Sequence, residues 1–424
     1  MIRRVTISNL APTGEGVSKT SDGVGFVAGA LPGEDVDAEV LEVKKKFWKG
    51  RTVLVRGSSP LRRSGPHAEG CAGSDWSHYD PAAALTSKRA LFLETMERIG
   101  GVPGSAFGDF AIEESALAYR LRNRFHVSGR GESARIGYFA PGTHDVTPAE
   151  NCEALSEPMR GLLPRLREAI AGSDAAVLEI ATVESLDARQ RLARATLPTG
   201  AHRRDANALL DALFDLFDGV AIADTEGDVL ARGGERRLWI PVGGREHPVT
   251  AATFFQSNRH LLGSLRAGVE REAASAAPGR ALDLFGGVGF FAGALIDAGH
   301  AVVTVEANHA AVEQAQAAKK RWRADGWQIQ HADALAYLDR TRERFDVTVA
   351  DPPRAGLGAP LARALARRAG RGLVYVSCEP ATLARDLAVF LAEGLPIRSA
   401  RLYDLYPLTH RVEAVVALSP SKEE

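Results

Sequence analysis

Three kinds of residue in this sequence are spaced for chemistry. The first is a glycine-rich turn, Asp283-Leu284-Phe285-Gly286-Gly287-Val288-Gly289-Phe290, between an apolar strand and a helical stretch. Glycines there, Gly287 and Gly289 above all, let a ligand approach the backbone. The second is a set of acids at the ends of successive apolar runs: Glu306, twenty residues after Gly286, then Asp333, then Asp351 in Asp351-Pro352-Pro353-Arg354. An acid at the interval of Glu306 can bind both ribose hydroxyls. Asp333 is placed to meet an adenine amino group, and the paired prolines stiffen the loop after Asp351. The third is Cys378, in Val374-Tyr375-Val376-Ser377-Cys378-Glu379-Pro380, past a buried strand and ahead of a helix over 381–390. A helix N-terminus favours the thiolate, the form that attacks carbon.

Each signal has a plainer reading. The turn alone also fits a structural glycine turn, and Gly287–Ala292 satisfies the loose dinucleotide fingerprint. A row of carboxylates, however, repels a pyrophosphate and favours a nucleoside with a cationic sulfonium, as in S-adenosylmethionine (SAM). A lone cysteine is ordinarily inert packing. Its place on the crevice edge that carries the acids makes Cys378 a candidate nucleophile, because ligands of open α/β sheets bind beyond the carboxyl ends of the strands.

Positioning these groups requires an α/β unit. From about 245 onward strands and helices alternate, and strands as apolar as 281–285, 301–305, 345–350 and 372–376 belong to a mostly parallel sheet covered on both faces. Ahead of it the chain reads differently. About 55 residues of short strands (5–8, 23–27, 36–41, 51–55) with glycine-rich turns have the rhythm of a small barrel. From Val43 to Arg63 there is no acid, and Lys44, Lys45, Lys46, Lys49 and Arg51 surround Phe47 and Trp48. Ammonium groups attract phosphates and an aromatic beside them can stack on an unpaired base, so this run is a candidate RNA surface; a solvated strand edge is the alternative. Gly57–Pro60 reads as a linker. The middle, 75–240, is a mixed α+β region with helices over 82–99, 154–170 and 206–217, and a strand over 119–127 whose polar face is basic. The expected units are 1–58, 75–240 and 241–424.

In order along the chain, Asp283–Phe290, Asp351-Pro352-Pro353-Arg354, Ser377-Cys378-Glu379-Pro380-Ala381-Thr382-Leu383-Ala384-Arg385-Asp386 and Asp404-Leu405-Tyr406-Pro407-Leu408-Thr409-His410-Arg411-Val412-Glu413 resemble the motifs of RNA (uracil-5)-methyltransferases. Phe254-Phe255-Gln256-Ser257-Asn258 looks like that family's entry to its catalytic domain, and residues 1–56, with Leu31-Pro32-Gly33-Glu34, look like its accessory TRAM barrel. The resemblance implies a Rossmann-like SAM methyltransferase domain, an N-terminal OB-like β-barrel and a central α+β domain. It implies Cys378 as nucleophile, Glu413 as general base, and Gln256, Phe285, Glu306 and Asp351 at cofactor-contacting positions. Uracil C5 is too poor a nucleophile unaided; a thiolate adding at C6 makes it one, and the base must be flipped out to expose C6. Two residues depart from the family. Glu379 replaces the usual Asn and is expected to face away from the sulfur, and Phe290 replaces a frequent Asn. Relatives often hold an iron–sulfur cluster on four cysteines. Here Ser74 stands where a thiolate is needed and Cys71 and Cys152 alone remain, so no cluster and no metal are expected; a zinc site with His67 and His78 is the alternative.

Composition agrees with a soluble globular protein: 424 residues, 45% hydrophobic, 25% charged, Lys+Arg 52 against Asp+Glu 53, three cysteines and no 20-residue apolar run. Met1–Thr6 lacks the apolar core of a secretory signal, and three cysteines cannot form a disulfide framework, so the cytoplasm is expected; a monomer without membrane attachment is expected as well. An RNA cytosine-5 methyltransferase would carry its cysteine in the Asp351–Arg354 loop, which has none. A non-catalytic RNA-binding protein would have no use for Cys378 and Glu413, and a nicotinamide oxidoreductase rests on the glycine turn alone. The barrel favours ribosomal RNA over tRNA as substrate.

Overall fold

The computed structural model describes residues 1–420 apart from 22, 65–71, 109 and 141–142. The chain opens with β1 (Ile2–Thr6), β2 (Asn9–Leu10), β3 (Gly16–Thr20), β4 (Gly23–Ala28), β5 (Asp35–Val43) and β6 (Phe47–Gly57). They form one six-stranded sheet ordered β1-β5-β6-β4-β3-β2 around a small core of Val5, Ile7, Val27, Val36, Ala38 and Trp48. Gly25 makes room for that tryptophan: a Cβ there would stand 2.3 Å from the Trp48 ring. The stretch read as a linker is fastened to the sheet. Buried Glu34 accepts from Leu31 N at 2.8 Å, Ser59 N at 3.2 Å and Arg62 Nε at 2.5 Å.

Next come α1 (Pro81–Gly100), β7 (Ile112–Glu113), β8 (Arg122–Ser128), β9 (Arg135–Phe139), β10 (Val146–Pro148), α2 (Glu157–Ala171), β11 (Glu179–Glu184), β12 (Arg191–Leu197), α3 (Arg203–Phe214), β13 (Gly219–Asp224) and β14 (Val229–Gly234). Asp80 caps α1 by accepting from Ala83 N at 2.9 Å, with Pro81 in the first turn, where its missing N–H costs nothing. The strands β8 to β14 make a seven-stranded sheet ordered β10-β9-β8-β11-β12-β13-β14. One face of it, with Phe125, Ile180, Ala195 and Ile222, is buried under Leu162, Leu166, Leu209 and Leu213 of α2 and α3.

The remainder is β15 (Leu238–Val242), β16 (Arg245–Val249), α4 (Leu262–Ala274), β17 (Arg280–Leu284), α5 (Phe290–Asp297), β18 (Ala301–Glu306), α6 (His309–Trp322), β19 (Gln328–His331), α7 (Ala334–Arg340), β20 (Phe345–Ala350), α8 (Gly358–Ala366), β21 (Ala369–Ser377), α9 (Pro380–Ala392), β22 (Ile397–Tyr403) and β23 (Glu413–Leu418). An eight-stranded sheet, ordered β19-β18-β17-β20-β21-β23-β22-β7, is parallel from β19 to β21 and antiparallel at β23. The division expected near residues 75 and 240 shifts as a result. Short β7 pairs with β22 and α1 packs against α9, so 81–113 serves the C-terminal sheet, and position 240 falls inside the hairpin β15–β16. Among the described residues no helix is long and apolar enough to cross a membrane.

Candidate active site

Strand pairing brings Cys378 and Glu413 together. Ser377, the last residue of β21, is the partner of Ala414 in antiparallel β23. Cys378 follows Ser377 and Glu413 precedes Ala414, so the two stand at neighbouring strand ends, close enough for the Glu413 carboxyl to push up the Cys378 thiol. On the other side of β21, Ala350 of β20 pairs with Tyr375, and Asp351 follows it. Three adjacent strand ends thus present a thiol and two carboxyls.

Burial pushes the Cys378 thiol up to about 11, Glu413 and Asp351 add to the shift, and Arg354 and Arg411 oppose it. The thiolate-favouring effect expected of a helix N-terminus does not prevail. Helix α9 starts at Pro380, so Cys378 lies outside the first turn to which the dipole is confined. Glu379 is not among the acids that act most on the thiol. Glu413, 2% exposed, is raised well above the ordinary carboxyl range by burial and by Asp351. Burial lifts Asp351 to about 7 against a hydrogen bond from Gln256 Nε2 at 3.2 Å. Asp283 rises to about 8 by burial, against a bond from Thr304 Oγ1 at 3.0 Å and with Asp351 and Glu306 adding to it. Buried acids thus share one crevice and raise one another, and a cation placed beside them would favour their charged forms.

The glycine turn lies beside these acids. Gly287 N donates to Glu306 Oε2 at 2.9 Å and Asn308 N to Oε1 at 2.7 Å, which fixes the carboxylate at the end of β18. Gly287, at φ +55°, faces open space, whereas a Cβ on Gly289 would meet the Trp327 ring at 2.3 Å. Phe285 holds a left-handed φ of 60°, a strained conformation for an aromatic residue. Asp333 is exposed and one of its oxygens accepts from Ala336 N at 3.0 Å to cap α7, leaving the other free of that duty. Phe290 is core, its ring 5.4 Å from those of Phe255 and His247.

The 404–413 loop is pinned by residues that carry no motif. Lys88, 2% exposed on α1, donates to Asp404 Oδ1 at 2.5 Å and to Tyr406 O at 3.0 Å. Asn258 Nδ2 donates to Leu405 O at 3.0 Å, Trp76 N to Leu408 O at 2.9 Å, and Asp75 pairs with His410. Trp76 Nε1 also reaches Gly14 O at 2.8 Å, tying the N-terminal sheet to this loop. The one sequence signal is Lys88 itself, a charge midway between Ala84 and Phe92 on the buried face of a helix. Tyr119, Arg120, Ser257, Arg354, Tyr406 and Arg411 line a cavity of about 270 Å³ here. Tyr406 feels Glu413, Cys378 and Asp351 together.

The basic run divides. Trp48 is 1% exposed in the core of its sheet, so the expectation that it stacks on a base is corrected: Gly25 opens a slot for it. Phe47 is half-buried, edge-on to Phe26 at 5.8 Å. Acids of β5 face the run, with Lys44 on Glu42 at 2.6 Å and Arg51 on Glu39 at 2.8 Å. Lys45, Lys46 and Lys49 are exposed and have no ion pair among the described residues. If these three meet phosphates, replacing them by Gln should reduce the salt slope of RNA binding by about 0.7 per lost contact on a single strand. An unchanged slope would leave them as solvated edge residues. Cys152 is buried in the central core, while Cys71 and His67 lie outside the described residues. Buried Asp224 and exposed Glu226 and Asp228 bring three carboxylates together in one turn, where Asp224 Oδ1 accepts from Glu226 N at 3.0 Å and Asp228 N at 2.9 Å.

The profile of the tRNA (uracil-5-)-methyltransferase family matches residues 106–421, and that of the TRAM domain matches 2–53. A 23S rRNA (uracil(1939)-C(5))-methyltransferase RlmD of Pseudomonas entomophila is 28% identical over 97% of this chain and 92% of its own. An uncharacterized RNA methyltransferase of Streptomyces avermitilis is 30% identical over 98% of both. In fold the chain is similar to a tRNA (uracil-54, C5)-methyltransferase of Pyrococcus abyssi, solved with S-adenosyl-L-homocysteine, at a TM-score of 0.78 and 22% identity over 98% of this chain and 99% of that one.

Proposed function

The chain belongs to the tRNA (uracil-5-)-methyltransferase family, and from that premise we propose that it methylates C5 of a uridine in 23S rRNA, with Cys378 as nucleophile, Glu413 as base and SAM as methyl donor. The observation that carries the reading is the meeting of Cys378 and Glu413 at the neighbouring ends of β21 and β23, where Glu413 and Asp351 both act on the thiol.

The crevice suits a sulfonium nucleoside on its own features. Glu306 is held with a lone pair to spare on each oxygen, Gly287 leaves open space beside it, and burial raises the carboxyls of Asp283, Asp351 and Glu413, so a cation beside them would favour their charged forms. When bound, SAM supplies an electrophilic methyl group. The residues do the rest. Sγ of Cys378 adds to C6 of the flipped uracil, and the C5–C6 π pair moves into the ring carbonyl as an enolate. C5 then takes the methyl group, leaving a saturated C5 that still bears its proton. Glu413 removes that proton, the C5–C6 double bond returns, and the thiolate leaves. Arg354 and Arg411 already oppose the upward shift of the thiol, and a cation beside Asp351 adds to them.

The choice of 23S rRNA is supported by the RlmD relatives and the TRAM match at 2–53. The test is nucleoside mass spectrometry after incubation with unmodified 23S rRNA and, separately, unmodified tRNA transcripts. Stoichiometric 5-methyluridine in the 23S rRNA is expected. Methylation confined to tRNA would overturn the target, and 5-methylcytidine or no product would overturn the reaction.

A further inference from the structure

One face of the central sheet is covered by α2 and α3; the other carries a row of residues aligned across five strands. Arg124 of β8 is the partner of Ala181 in β11, Ala181 of Arg194 in β12, Arg194 of Ala221 in β13, and Ala221 of Arg232 in β14. Partners in adjacent strands point to the same side, so arginine and alanine alternate along one line. With strands about 4.8 Å apart, the three guanidinium stems stand about 10 Å from one another. Two residues along the strands, on this same face, Val183 and Leu192 are buried in the core shared with the C-terminal sheet. That end of the face is therefore docked, and the arginine row lies where the two bodies part.

The gap is a cleft of about 200 Å³. Arg194, Arg232, Arg236 and Arg237 line it, outnumbering the acids Glu235 and Glu313, and Gln314 of α6 completes the polar lining. Arg194, Arg232 and Arg236 have no ion pair among the described residues, while Arg124 makes an exposed pair with Glu179 at 3.2 Å. Gln314 is 7% exposed and its buried Oε1 has no hydrogen-bond partner among the described residues. The cleft is also lined by Thr250–Thr253, which lead directly into Phe254 and into Gln256 of the reaction crevice.

We propose that this row and cleft bind the sugar–phosphate backbone of the substrate RNA, a few nucleotides away from the base held at Cys378. The proposal rests on the functional reading above for the identity of that RNA. Guanidinium groups take phosphate oxygens by two parallel hydrogen bonds. The alanines between them leave open troughs, and no aromatic residue in the row offers a stack for a base, so the surface grips backbone without reading sequence. A protein partner would want apolar or aromatic anchors, which the row lacks.

The test is binding of poly(U) by Arg194→Gln/Arg232→Gln protein, titrated between 50 and 200 mM salt. Two lost contacts should flatten the log–log salt slope by about 1.4, at roughly 0.7 per phosphate on a single strand. KM for RNA should rise with kcat at saturating RNA and SAM affinity unchanged. The exposed charge reversal Arg232→Glu, which does not disturb packing, should weaken binding further. An unchanged slope in both variants, with normal methylation, would overturn the proposal. Loss of the functional reading looks different: the unaltered protein would place no methyl group on uridine, and the slope comparison would still decide what the arginines do.

Discussion

A Cys378→Ala protein should form no covalent complex with RNA carrying 5-fluorouridine at the target, where the unaltered protein with SAM forms one that survives denaturing electrophoresis. Fluorine at C5 leaves no proton to remove, so the adduct cannot collapse. Methylation of ordinary RNA should fall by roughly 10⁴-fold or more, the scale on which removing a nucleophile acts. A Cys378→Ala protein that still cross-linked would sink the assignment. The environment of the thiol adds a second readout. Burial and two carboxyls hold it at about 11 in the free protein, so at neutral pH it is almost wholly the unreactive thiol. Its thiolate fraction grows about tenfold per pH unit below that value. Alkylation of the free protein by iodoacetamide should climb in the same proportion between pH 7 and 9. A rate that was flat across this interval would mean the sulfur is already ionised and the desolvation argument is wrong.

The C-terminal unit is legible in the sequence because its strands are buried on both faces. β20 falls on the residues expected, β17 is displaced by one residue, and β18 and β21 extend the expected strands by at most three residues at either end. The central sheet is harder to read for a physical reason. Its face away from α2 and α3 mixes Arg124, Arg194 and Arg232 with Ala181, Ala221, Val183 and Leu192, which blurs the apolar–polar alternation that marks a strand. Trp48 misleads in another way. Three lysines precede it and suggest exposure, but the slot that buries it is made by Gly25, a strand away and remote in sequence. The nearness of Cys378 and Glu413 is equally beyond spacing. It depends on the chain running out through β22 and returning antiparallel as β23, so only resemblance to a family links those two residues beforehand. Lys88 and Asp75, which brace the loop between them, carry no motif at all.

Glu413→Gln should separate the two halves of the reaction. Gln has the shape of Glu and keeps hydrogen-bonding capacity at a site that is 2% exposed, so the fold should survive. It should also relieve the thiol of a carboxyl that pushes its pKa up. Addition at C6 and methyl transfer to C5 need no base at this position and should proceed. Removal of the C5 proton does need one, and loss of a positioned base ordinarily costs 10²–10⁴-fold. Natural uridine RNA and SAM carrying a labelled methyl group should therefore give a denaturation-resistant complex that holds the label and releases it slowly. Cys378→Ala should give none. The pH dependence follows from the sign of the shift. Burial and Asp351 hold the Glu413 carboxyl well above its ordinary range, so it is protonated and idle at low pH and becomes a base only as pH rises. Product release by the unaltered protein should accelerate with pH through that titration, and Gln, having no such proton to lose, should abolish the dependence. Equal, complex-free inactivity of the two variants would assign Glu413 to holding the loop.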